Sequence, residues 1–151
     1  FKDGIMQRGK LFVKVSLQTE IDDAHDKQQT TVEAKGELFE TDRQTVIRFT
    51  EKSDEQPDVA TMITIKSDQV SIKRSGAVEM NQQFRPAQIT ETIYRHQFGS
   101  IRMETETLDF RYKPLTSTNT TAELALDYST KLDGEEERAH KLLLTIEEDK
   151  S

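Results

Sequence analysis

Two stretches of this 151-residue chain carry side chains able to do chemistry: RSGAVEMNQQF at 74–84 and ITETIYRHQFGSIRMETET at 89–107. The first sets Arg74, Ser75 and Gly76 together, the residue types of an anion cradle. A phosphate cradle needs a glycine-rich loop running into a helix, so that backbone N–H groups converge on the anion. Nothing after Gly76 has helical periodicity, and the glycine reads better as a corner between strands. The second stretch holds His96, a residue type suited to general-base or metal-ligand work. No second histidine lies near it in sequence, so a structural place at a strand end is preferred. The IDDAHD cluster (Asp22, Asp23, His25, Asp26) lacks the spacing of a calcium loop and reads as a solvated hairpin tip. No G-x-S-x-G occurs, and Ser75 and Ser100 fall in turns. No catalytic residue, metal ligand or cofactor is assigned.

The elements that must position these residues are strands. Leu, Ile, Val and Phe make up just under a quarter of the chain, a little above the roughly 20% below which disorder is the better guess. Their placement with a period of two is therefore what argues for order. Val13, Val15, Leu17, Thr19 and Ile21 share one face of the first strand, and Val32, Ala34, Gly36 and Leu38 one face of the second. Gly36 within a strand predicts a bulge or sharp bend, as barrel corners require. Further strands are expected at 45–50, 59–66, 70–74, 77–84, 89–96, 101–112, 121–132 and 138–148. The last is the one place where helix competes. Leu142, Leu144 and Ile146 alternate, however, and Asp133-Gly134 before them is a hairpin signal. Eighteen threonines, β-branched and hydroxylated, suit a pleated surface that is half buried or faces a wet cavity.

About ten short strands joined by short loops specify an all-β, antiparallel protein, and closure into a single barrel removes the exposed edges. The expected domain spans 11–148, with residues 1–10 set aside as a flexible N-terminal segment or remnant. A net charge of −7 argues against nucleic acid and anionic membrane surfaces. The absence of cysteine excludes disulfides and thiolate chemistry and fits a reducing cytoplasm.

Parity predicts the two central hairpins. A three-residue loop Arg74-Ser75-Gly76 would set Ile72 opposite Val78 and Val70 opposite Met80, with Gly76 at positive φ. A two-residue turn at Phe98-Gly99 would pair Tyr94 with Met103, Thr92 with Thr105 and Thr90 with Thr107. One face of this second hairpin then mixes threonines with Tyr94, His96, Ile101 and Met103. The other, with Glu91, Arg95, Arg102, Glu104 and Glu106, suits cross-strand ion pairs in solvent.

Arg74-Ser75-Gly76-Ala77-Val78, Met80, Phe84, Tyr94, Phe98-Gly99 and Thr105–Thr107 together resemble the YwiB-like family of small proteins from Bacillus and its relatives. The likeness runs from about Leu11 to Glu148. Gln97 stands where family members often have a proline. The resemblance implies a barrel of the calycin (lipocalin) type in a cytoplasmic bacterial setting, and it carries no activity and no catalytic residues to transfer.

The expected function is a non-enzymatic binding module for a small, partly polar or amphiphilic ligand. Arg74, Met80, Phe84, Tyr94, His96, Met103 and Thr105 would line the mouth or inner wall. The alternative is an interaction or assembly module with a filled barrel, a homodimer included, and an enzyme comes third. An interior volume above about 300 Å³ separates the first from the second.

Overall fold

A computed structural model describes residues 9–150. Ten strands run in chain order: β1 Gly9–Asp22, β2 Lys27–Glu40, β3 Thr45–Glu51, β4 Val59–Ile65, β5 Val70–Gly76, β6 Met80–Phe84, β7 Ile89–His96, β8 Gly99–Lys113, β9 Thr121–Leu132 and β10 Arg138–Glu148. They form one antiparallel sheet in the order β6-β5-β4-β3-β2-β1-β10-β9-β8-β7. Every strand lies beside its neighbour in sequence, and β1 pairs with β10, so the sheet curls until its edge strands β6 and β7 meet. The result is a nearly closed barrel. The N-terminal segment set aside from the sequence lies mostly outside the described residues. Its last two members, Gly9 and Lys10, already pair with Glu40 and Phe39 of β2.

Alternation explains which side chains turn inward. Val13, Val15 and Leu17 on β1, Ile47 and Phe49 on β3, Ile63 and Ile65 on β4 and Leu142, Leu144 and Ile146 on β10 are all buried in a single core. Asp133-Gly134 forms the expected tight turn before β10, both residues at positive φ. The final segment is a strand, as its alternation predicts.

Two expected registers are corrected. Arg74 lies opposite Met80 and Ile72 opposite Gln82, so the chain between β5 and β6 is longer than the three-residue loop predicted. Gly76 is not the corner of that hairpin. It closes β5 opposite Val59 at φ 121°, where a Cβ would strike the carbonyl oxygen of Asp58. In the next hairpin His96 lies opposite Gly99 and Tyr94 opposite Ile101, so the turn residues are Gln97 and Phe98. Both shifts are by an even number of positions, which leaves the inward faces unchanged.

Three irregularities shape the barrel. Gly36 is the innermost β2 residue that pairs with β3, and a Cβ there would collide with the Arg48 carbonyl. From Lys35 back to Lys27, β2 follows β1 alone, and the wall opens between β2 and β3. At the second irregularity, Asp127 faces Asp109 and Tyr128 faces Thr107, so Leu108 is an extra, bulged residue on β8. Parity switches across it: Met103, Thr105 and Thr107 are buried before the bulge, whereas Phe110 and Tyr112 turn inward after it.

The third is the seam between β6 and β7, which has no continuous ladder. Glu79 and Arg95 exchange both backbone hydrogen bonds, each 2.8 Å. Beyond them, the Thr92 hydroxyl donates to the Asn81 carbonyl (3.0 Å) and the Thr90 hydroxyl to the Gln83 carbonyl (2.6 Å).

Candidate functional site

Along six strands the inward residues change chemistry toward the same end of the barrel. Leu17 gives way to Thr19 on β1, Phe49 to Glu51 on β3, Ile63 to Thr61 on β4, Ile72 to Arg74 on β5, Leu126 to Tyr128 on β9 and Leu142 to His140 on β10. On one side of that change the inward residues form a buried core. On the other lies a cavity of about 560 Å³, open at the end where the chain passes from β1 to β2, β3 to β4, β5 to β6, β7 to β8 and β9 to β10. Its wall is apolar at Val59, Ile72, Met80, Ile101, Met103 and Leu142, and polar at Glu51, Arg74, Gln82, Tyr94, Tyr128, Thr130, Arg138 and His140. A mixed lining of this size suits a small organic molecule.

Arg74 is the best-anchored charge in the wall. Its Nε donates to Glu51 Oε2 at 3.1 Å, and the buried Thr61 hydroxyl donates to the same oxygen. Adjacent strands bring these groups together, since Thr61 lies directly opposite Arg74 across β4 and β5. A second cluster faces it. The Tyr128 and His140 rings stack in near-parallel planes with centroids 4.6 Å apart, and Thr130 Oγ1 lies 2.8 Å from His140 Nε2. Burial pushes the Tyr128 phenol up to about 12, with a smaller opposing pull from Arg74. Burial, helped by the charge of Arg138, pushes His140 down to about 4.

A hydroxyl bonded to an imidazole is the beginning of a nucleophile–base pair. An imidazole titrating near 4 is a weak proton acceptor beside bases tuned to neutral pH. It suits a neutral hydrogen-bonding group on a binding wall. Among the described residues no group of three or more His, Asp or Glu side chains is arranged to hold a metal ion. Asp23 in the β1–β2 turn instead accepts the backbone N–H groups of Asp26 and His25, and those bonds hold its carboxyl below the usual range.

Of the residues expected to line the wall, Arg74, Met80, Tyr94 and Met103 meet in this cavity. Phe84 lies behind it, fully buried, with its ring 4.8 Å from Tyr128 in an edge contact. Thr105 is likewise buried below the wall and accepts a 2.9 Å hydrogen bond from Gln82 Nε2, which does line the cavity. His96 sits at the rim, in a groove beside Phe98 that shares Val78 and Tyr94 with the cavity. Its Nδ1 accepts the Phe98 backbone N–H at 3.2 Å, so the imidazole caps the β7–β8 turn. Glu51, Tyr128, Thr130 and His140 escaped the sequence reading. Extending the inward parity of Leu124 and Leu126 by one step reaches Tyr128, and that of Leu144 and Leu142 reaches His140.

No helix among the described residues is long and apolar enough to cross a membrane. Over 89 residues, 59% of this chain, the sequence is 27% identical to the uncharacterized β-barrel protein YwiB of Bacillus subtilis (strain 168), and the match spans 61% of that relative. The crystal structure of ywiB protein from Bacillus subtilis superposes with a TM-score of 0.83, covering 95% of each chain at 20% identity, a likeness of fold. The model of the domain of unknown function DUF1934 matches residues 15–144, and the chain belongs to that family.

Proposed function

We propose that this domain is a non-enzymatic binding module that takes one small, partly polar ligand into the hollow end of its barrel, in a cytoplasmic setting. The observation that carries the reading is the 560 Å³ cavity lined by inward-facing residues at one end of the barrel, bordering the buried aliphatic core. A barrel serving only as a scaffold has no need of an anchored arginine or a stacked Tyr–His pair facing open space. In this reading Met80, Met103 and Tyr94 supply surface for burial, while Arg74, Thr130 and His140 orient the polar part. Thr105 acts through Gln82 and Phe84 supports Tyr128, whereas His96 belongs to the rim.

Native mass spectrometry of protein purified from its own host tests this. The expected result is an adduct released on denaturation and absent from a Met103→Trp variant that fills the cavity. A bare-chain mass, with no thermal shift from a chemically diverse metabolite set, would overturn it. A second reading, docking of a protein partner, is favoured by the exposed Ile89, Ile93 and Leu108 on the outer face of β7 and β8.

A further inference from the structure

The hollow end differs from the rest of the molecule in the sign of its charge. The whole chain carries −7. Among the described residues the cavity wall carries Arg74 and Arg138 against Glu51 alone, with His140 held neutral at physiological pH. A cavity with surplus positive charge in an acidic protein concentrates field where a ligand would sit.

The anchored arginine defines that ligand further. Its side chain is 24% exposed and that of Glu51 20%, so the pair is only partly screened by solvent. Glu51 occupies the Nε side of the guanidinium. Among the described residues Nη1 and Nη2 make no hydrogen bond. A guanidinium fixed along one edge and open along another presents paired donors in the geometry of a carboxylate. Glu51 also takes up one positive charge, leaving a surplus suited to a monoanion rather than a phosphate dianion. The apolar strip of Met80, Ile101 and Met103 lies in the same cavity.

From these features we infer that the ligand is an amphiphilic monocarboxylate. Its carboxylate docks on the Nη edge of Arg74 and its apolar body lies along the two methionines, with Glu51 acting as the positioning residue. The inference rests on the binding reading above and names the chemical class.

Calorimetric titration with decanoate, decanol, decylamine and decyl phosphate tests it on the wild-type chain and on Arg74→Gln. Decanoate is expected to bind about 10- to 100-fold tighter than decanol or decylamine, the range of a charge-assisted hydrogen-bonded pair. Arg74→Gln should bring decanoate to the level of decanol and leave decanol unchanged. If that variant does not melt cooperatively, the wild-type ranking decides alone. Equal binding of decanol and decanoate, or tighter binding of decyl phosphate, overturns the carboxylate inference while leaving the binding reading intact. Failure of all four to bind overturns the carboxylate inference, and the native mass spectrum then decides the binding reading.

Discussion

At one end of the barrel Val13, Leu38, Ile47, Ile63, Val70, Leu124, Leu144 and Ile146 interlock with almost no exposure. At the other, the same strands turn Thr19, Glu51, Arg74, Tyr128, Thr130 and His140 toward a space that no side chain among the described residues fills. Most strands keep their alternation through both ends, apart from the parity switch at Leu108 on β8 and the lost β2–β3 pairing beyond Gly36. Side-chain type makes the larger difference. Branched aliphatics of matched volume close the first end, whereas hydroxyls, rings and an ion pair hold the walls of the second apart. Stability is therefore concentrated in one half, and the other is free to carry a ligand.

The sharpest way to break this contrast is truncation at matching depths. Leu144→Ala, at a position with no exposure, should cost about 2–5 kcal/mol in denaturant unfolding, because a cavity opens in rigid surroundings. Met103→Ala, beside an existing cavity, should cost less than about 1.5 kcal/mol, because its neighbours already border open space. Equal losses would mean that the two ends are packed alike.

Acid should act on the hollow end. His140 titrates near 4 when folded against 6.5 as a free side chain. Below pH 6.5 the unfolded chain therefore takes up a proton that the folded chain resists. The stability this group contributes is complete above pH 6.5, falls as pH drops, and is gone near pH 4. Allowing for partial solvent screening, the loss is about 2 kcal/mol or less. Urea midpoints measured from pH 7 to pH 4 should show a fall that His140→Gln flattens, and an unchanged slope in that variant would place the acid sensitivity elsewhere.

A smaller effect is expected along the seam. Thr92→Val removes the donor to the Asn81 carbonyl and should cost about 1–2 kcal/mol, read as a lower melting temperature. Smallest of all, Glu91→Gln at the solvent-exposed pair with Arg102 should shift stability by less than about 0.5 kcal/mol. A larger change would show that the outer face of β7 and β8 contributes more than the interior contrast allows.

The fold was legible because alternation is local. Val13-x-Val15-x-Leu17 and Leu142-x-Leu144-x-Ile146 announce inward faces without reference to any partner strand. The registers were not, because loop length depends on where two strands stop pairing. Gly76 looked like a hairpin corner, yet its positive φ serves a close passage beside Asp58, the loop residue just before β4. The bulge at Leu108 left a trace, the change from odd to even inward positions between Thr107 and Phe110, which a single unbroken strand hides.

The site was legible to the same extent. Arg74, Met80, Tyr94 and Met103 were found because each is an inward residue near the open end of its strand. Phe84 and Thr105 share their faces but sit deeper, and depth is set by the stagger between strands. His140 and Tyr128 lie beside each other only because β10 returns next to β9 with Tyr128 opposite His140.

The hydroxyl-stitched seam gives the wall an unusual mechanical character. A ladder holds two strands at one spacing, but a threonine rotor can follow a carbonyl that moves away and keep its bond. The cylinder therefore resembles one slit lengthwise and laced, pinned by the paired backbone bonds of Glu79 and Arg95 and held beyond them by hydroxyls. A molecule slightly too wide for the resting bore would be met there by give rather than by rupture.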